Sequence, residues 1–90
     1  MPTLHSPTPP YHPPVKRSVE IAGHKTSISL EPIFWDMLRE QANALQMPLN
    51  ALVARIDAER IEAPTPSGLA GAIRVWLMCA TAAAGRQPNT

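Results

Sequence analysis

The chain has 90 residues, an apolar content of 44% and a formal net charge of +1. This length accommodates one domain, and the apolar content is high enough to exclude an entirely disordered protein. A net charge so close to zero is not by itself a signature of nucleic-acid binding. The single cysteine, Cys79, excludes an intrachain disulfide and suits a reducing compartment.

The first 14 residues contain six prolines, so residues 1–15 are predicted to form a disordered, polyproline-like arm outside the core. This start lacks the basic and then apolar order of a signal peptide. The most apolar segment, residues 69–84, contains Arg74 and is shorter than the roughly 20 residues that span a bilayer. We therefore expect a soluble cytoplasmic protein without membrane association.

Two short alternations of apolar and polar residues follow the arm. The first covers residues 15–22 and is followed by a turn at Ala22-Gly23-His24, so a short first strand in a hairpin is one interpretation. The second alternation, over residues 25–30, is the stronger. It places alternate side chains on opposite faces, with Thr26, Ile28 and Leu30 on one face and Lys25, Ser27 and Ser29 on the other.

The apolar spacing becomes helical at Pro32, which favours a first helix over residues 32–45. The apolar positions of this helix are Ile33, Phe34, Met37, Leu38, Ala42 and Leu45. Pro48 disfavours helical geometry at Met47 and can open a second helix over residues 48–61. Residues 16–61 are then one domain and residues 62–67 a linker. Ser67 is a good cap for a third helix over residues 68–84, and residues 85–90 form a tail.

One strongly predicted strand followed by two helices is an unusual set of secondary-structure elements for a monomer. A lone strand leaves its backbone N–H and C=O groups unpaired. A second copy of the chain would satisfy them, and the resulting two-stranded ribbon fits the major groove of DNA. This reasoning predicts a homodimer.

The order of strand, helix, turn and helix resembles the ribbon-helix-helix family of bacterial and phage DNA-binding proteins over residues 17–61. The resemblance rests on the Thr26–Pro32 segment, on Trp35 and Leu38 of the first helix, and on the Pro48–Val53 segment. The lead-in over residues 17–27, with the Phe34-Trp35 pair, is similar to a subgroup of small bacterial members of unassigned function.

The resemblance implies a mostly helical fold with one or two short N-terminal strands, intertwined with a second copy. The third helix is additional to this unit. The ribbon is expected to contact base edges through Lys25, Ser27 and Ser29, and the start of the second helix to contact phosphate through the backbone of Met47, Leu49 and Asn50. The predicted dimer core consists of Ile28, Leu30, Phe34, Leu38, Leu52, Val53 and Ile56.

Two departures from the family pattern concern these contacts. Two of the three outward strand residues are short serines, where many members carry longer polar side chains. The Gln46-Met47-Pro48 turn lacks the common glycine and the Ser or Thr cap. Lys16 and Arg17 either hold flanking phosphates or solubilise the arm.

The remaining candidates have structural interpretations. Trp35 and Trp76 are expected to anchor a core or an interface, with Trp35 off the main face of the first helix. His5, His12 and His24 do not form a metal set, and Cys79 is interpreted as a structural thiol in a packed helix. No cofactor is expected, and the absence of an enzyme motif argues against catalysis.

The sequence thus predicts a sequence-specific transcriptional regulator, a repressor or antitoxin-like protein, that binds double-stranded DNA as a homodimer. The alternative is a dimeric protein-interaction module that has lost DNA binding and contacts a protein partner through the third helix. Only the regulator is expected to bind DNA with an affinity that falls as the salt concentration rises.

Overall fold

The computed structural model describes residues 11–86, with side chains through residue 85. It contains two strands, β1 (Val15–Ile21) and β2 (His24–Leu30), followed by three helices, α1 (Pro32–Ala44), α2 (Leu49–Ile61) and α3 (Leu69–Arg86). The predicted mostly helical fold with short N-terminal strands is confirmed. Most of the predicted arm and the last four residues of the predicted tail lie outside the described residues.

The two strands form an antiparallel hairpin within one chain, in register from Val15 opposite Leu30 to Ile21 opposite His24. Two residues connect them, and both have positive φ, 51° at Ala22 and 83° at Gly23. A type I′ turn requires this geometry, and its twist matches that of the flanking strands. This is the hairpin that the sequence offered as one interpretation, and it removes the unpaired strand from which the homodimer was inferred.

The junction between α1 and α2 is closed by backbone hydrogen bonds. The N–H groups of Gln46 and Met47 donate to the carbonyls of Asn43 and Ala42, both at 3.0 Å. With Gln46 at φ 56°, this is a Schellman motif, which satisfies carbonyls at the end of α1. Pro48 precedes α2 as its N-cap, with extended backbone, whereas the sequence placed it inside the helix.

The three helices cover one side of the hairpin, and a continuous apolar core lies between them. Six of the seven residues predicted for a dimer core are buried within the single chain, and only Phe34 is half-buried. Intertwining with a second copy stays a prediction, but it is not needed to bury these side chains. The core residues are Val19, Ile21, Ile28, Leu30, Trp35, Leu38, Ala42, Leu52, Val53, Ile56, Ile73 and Leu77.

Trp35 lies in the centre of α1's buried face, not off it. Its side chain is 2% exposed, whereas Ile33 and Leu45 of the predicted apolar face are 47% and 43% exposed. The indole Nε1–H donates to the carbonyl of Val15 at 3.0 Å. This bond gives the buried indole its polar partner and ties the start of β1 to α1.

Helix α3 packs into the same core through Ile73 and Leu77, both 0% exposed. Trp76, also predicted on its apolar face, is half-buried. The helix begins after Gly68, whose carbonyl accepts the N–H of Ala72, and it runs past Gly85 instead of ending there. Within residues 11–86, none of the helices combines the length and apolarity that crossing a membrane requires.

Candidate nucleic-acid interface

The side of the hairpin turned away from the helices carries only polar and charged side chains. Strand alternation and the pairing register place six residues on this side, which we call the outer face. Five are exposed and Ser29 is half-buried. The outer face consists of Lys16, Ser18 and Glu20 from β1 and Lys25, Ser27 and Ser29 from β2.

The outer face contains the three residues predicted to contact bases, and each lies directly across from a β1 residue. The register pairs Lys16 with Ser29, Ser18 with Ser27, and Glu20 with Lys25. Side chains opposed in this way have Cβ atoms about 5 Å apart. Sequence reasoning missed Ser18 and Glu20, although a two-residue turn at Ala22-Gly23 would have set the register that brings them here.

Lys16 and Arg17, predicted together as phosphate contacts, lie on opposite sides of the hairpin. Arg17 is opposite Ile28 in the register, on the side that faces the helices. Its guanidinium carbon lies 5.7 Å from the centroid of the Trp35 ring, which is the geometry of a cation–π contact. Only Lys16 shares a face with the predicted base-contact residues.

The start of α2 offers a small anion-binding geometry. The carbonyl of Pro48 accepts the N–H groups of Ala51 and Leu52, both at 3.1 Å. The N–H groups of Leu49 and Asn50, at the first two helical positions, have no carbonyl of the preceding turn to reach, and they sit at the positive end of the helix dipole.

The third backbone group predicted for phosphate contact differs from the other two. The N–H of Met47 donates to Ala42 in the motif that closes α1, so it is already engaged. Pro48 lies ahead of the first turn, and its missing N–H does not reduce the donors within α2. The candidates for phosphate contact are therefore Leu49 and Asn50.

An ion pair that the sequence did not predict fixes the end of the hairpin. Arg74 of α3 donates through Nε and Nη2 to Oε1 of Glu31, at 3.0 and 2.8 Å, and its Nη2 also lies 3.5 Å from the carbonyl of Ser29. A backbone hydrogen bond at Glu31 itself and then the Arg74 guanidinium hold the pKa of the Glu31 carboxyl below its ordinary value. The pair anchors α3 beside the end of β2.

Other candidate groups lie away from the outer face. Cys79 is interpreted from the sequence as a structural thiol in a packed helix; α3 is packed through Ile73 and Leu77, but the Cys79 thiol lies on its exposed side. Among the described residues, no group of His, Cys, Asp and Glu side chains has the arrangement of a metal site. His5, one of the three histidines considered for such a set, lies outside the described residues.

Comparison with known proteins gives one match. No curated protein and no solved structure matches the chain. A family model described as the ribbon-helix-helix domain matches residues 14–81, which include both strands, α1, α2 and most of α3. The third helix, which the sequence interpretation placed outside the family unit, thus lies largely within the match. Because the match covers well over half of its length, this chain belongs to the ribbon-helix-helix family.

Proposed function

We propose that this protein is a sequence-specific DNA-binding transcriptional regulator, repressor or antitoxin-like, that acts as a homodimer in the bacterial cytoplasm. Its family supports the general class, since ribbon-helix-helix domains are typically DNA-binding modules and not enzymes. The observation that carries the proposal is the outer face, a two-stranded ribbon with a wholly polar surface, whose opposite side contributes Val19, Ile21, Ile28 and Leu30 to the core.

The proposed contacts follow from the chemistry of the outer face. A two-stranded ribbon enters the major groove, where every base pair presents a distinct set of donors and acceptors. Lys25 donates to guanine O6 or N7, while Ser27 and Ser29 donate to or accept from either base, directly or through water. Lys16 and the start of α2 hold the DNA backbone.

A protein-interaction module is the second candidate. Two lysines and one glutamate give the outer face a net charge of only +1 per chain. In addition, α3 exposes Val75 and Met78, at 63% and 54%, on the side opposite its buried residues. These apolar side chains suit a protein partner, and they do not contribute to binding phosphates.

Fluorescence anisotropy with labelled duplexes separates the two candidates. The duplexes are the DNA upstream of the protein's own gene and a scrambled sequence of equal length, each titrated over a salt series. A regulator binds the upstream duplex more tightly, and the logarithm of its affinity falls linearly with the logarithm of salt concentration. Absence of binding at low salt would contradict the proposal and favour the interaction module.

Lys25→Gln provides the matched variant for this titration. Lys25 is exposed at the turn end of the outer face and makes no contribution to the apolar core, so the fold is expected to persist. The variant should weaken binding and change the base preference at one position of the site. An affinity equal to that of the wild type would remove Lys25 from the proposed interface.

A further inference from the structure

The edge of β2 that faces away from β1 offers backbone groups to a second chain. A two-residue turn joins Ile21 to His24, so this pair exchanges both of its backbone hydrogen bonds, and every second residue of β2 from His24 onward bonds to β1. The residues between them direct their N–H and C=O groups to the opposite edge. They are Lys25, Ser27 and Ser29, the three β2 residues of the outer face.

This edge is complementary to itself. Two identical strands pair antiparallel about a two-fold axis, and an axis at Ser27 sets Lys25 opposite Ser29 of the second copy. Each N–H and C=O group of the three residues then has a partner. Arg74 does not close the edge, because its Nη2 lies 3.5 Å from the Ser29 carbonyl, whose oxygen has a second lone pair. Strand β1 keeps its place on the other edge.

We propose that two copies form a four-stranded sheet in the order β1, β2, β2, β1, and that the two β1 strands lie over the phosphate backbones on either side of the major groove. This inference rests on the proposed DNA-binding function. Neighbouring strands are about 4.8 Å apart, so the β2 strands lie about 2.4 Å from the two-fold axis and the β1 strands about 7 Å from it. The groove is about 12 Å wide, so its rims lie about 6 Å from its middle.

The width of the sheet therefore divides the outer face into two roles. The β2 side chains face base edges inside the groove, whereas Lys16, Ser18 and Glu20 of β1 face its rims. The Lys16 ammonium and the Ser18 hydroxyl donate to phosphate oxygens, which positions the protein without reading sequence. The carboxylate of Glu20, at the other end of β1, repels phosphate and lowers the affinity for every duplex.

Cysteine cross-linking tests the strand order without DNA. Ser27→Cys and Ser18→Cys are compared in a Cys79→Ala background, since Cys79 is itself exposed, and both serines are exposed as well. In the four-stranded sheet the two copies of residue 27 have Cα atoms about 5.5 Å apart, within the reach of a disulfide. The two copies of residue 18 are about 14 Å apart. Oxidation should therefore yield a covalent dimer with Ser27→Cys alone, and the opposite pattern, or no cross-linking of either variant, would overturn the sheet.

Two matched pairs of variants test the role of β1 on DNA. Lys16→Gln should weaken binding to upstream and scrambled duplexes alike and lower the salt slope by about two per dimer, whereas Arg17→Gln, on the other side of the hairpin, should leave the slope unchanged. Ser27→Ala should reduce discrimination among duplexes with single base-pair replacements by roughly three- to tenfold, and Ser18→Ala should not alter it.

Glu20→Gln gives a gain of function as the third readout. The variant should bind both duplexes about threefold more tightly or better at low salt, with a smaller gain at high salt. Glu20 is directly opposite Lys25, so the gain is also measured in a Lys25→Gln background, where repulsion from phosphate predicts that it persists. Glu40→Gln removes the same charge from an exposed position of α1 and is the control.

The outcomes separate this inference from the proposed function. Altered base discrimination in Ser18→Ala, or a wild-type salt slope in Lys16→Gln, would overturn the placement of β1 at the rims and leave the DNA-binding function standing. A gain in Glu20→Gln that vanishes in the Lys25→Gln background would do the same. If the wild type binds no DNA, the proposed function fails together with the rim contacts, while the cross-linking result decides the four-stranded sheet on its own.

Discussion

The backbone at Ala22 has φ 51°, in the left-handed region that residues with a Cβ rarely adopt. Asparagine tolerates this conformation and, followed by glycine, is strongly preferred in type I′ turns. We expect Ala22→Asn to stabilise the protein by about 0.5–1 kcal/mol, whereas the β-branched Ala22→Val should destabilise it by about 1 kcal/mol or more. Urea unfolding checks both variants, and equal stability of the two would contradict the strain at this turn.

Gln46 occupies a second left-handed position, with φ 56°, where glycine is the usual residue of a Schellman motif. Gln46→Gly should raise the free energy of unfolding by about 0.5–1 kcal/mol, because relief of the Cβ strain outweighs the added freedom of the unfolded chain. Gln46→Ala keeps a Cβ and is the control, with stability close to that of the wild type. A destabilised glycine variant would refute this assignment.

The residues of the outer face were predictable to different degrees. The alternation of β2 is regular, so the sides on which Lys25, Ser27 and Ser29 lie followed from the sequence. The alternation of β1 is obscured by Arg17, a charged residue at a position that faces the helices. Its contact with the Trp35 ring explains how the position tolerates a guanidinium, but no local pattern reveals a partner 18 residues along the chain.

At the scale of elements, the Glu31–Arg74 pair joins the β2–α1 junction to α3. Because the pKa of Glu31 is lowered by folding, the pair contributes stability above the ordinary value of 4.5 and loses it as the pH falls through the folded-state pKa. Urea unfolding between pH 7 and about pH 3 should show the wild type losing its advantage over Glu31→Gln at the acidic end. A constant difference between the two proteins across this range would exclude a contribution from Glu31 ionisation.

The sequence interpretation ended the domain at α2. The contribution of α3 to the free energy of unfolding tests that boundary. Leu77 is fully buried against the other elements, so Leu77→Ala should cost about 2–5 kcal/mol in the free energy of unfolding. Val75 is two residues away and 63% exposed, and Val75→Ala should change stability by less than about 0.5 kcal/mol. If Leu77→Ala were equally mild, α3 would be an appendage to an independent domain.

For the whole molecule, local sequence patterns located the strands and helices. They did not establish whether the same chain or a second copy supplies the elements that each of them pairs with or packs against. Proline positions and apolar spacing gave the two helices of the family unit to within one or two residues. The argument for a dimer assumed that the second strand has no partner within the chain. That assumption fails because β1, whose alternation of apolar and polar residues is less regular, pairs with β2. Ile28→Asp does not separate the alternatives, because Ile28 is 2% exposed within one chain and its replacement should unfold monomer and dimer alike.

Dilution separates a core closed within one chain from a core shared between two. Among the described residues, twelve apolar side chains are buried within the single chain, so we expect the helical circular dichroism signal to persist at concentrations where sedimentation shows only monomer. An obligate intertwined dimer has no stable folded monomer, and its helical signal would fall in step with dissociation. Val19→Ala, which weakens the core where β1 contributes to it, should lower the unfolding temperature of the monomer itself, measured at concentrations where sedimentation shows only monomer. An unfolding temperature equal to that of the monomeric wild type would contradict a contribution of β1 to a core closed within one chain.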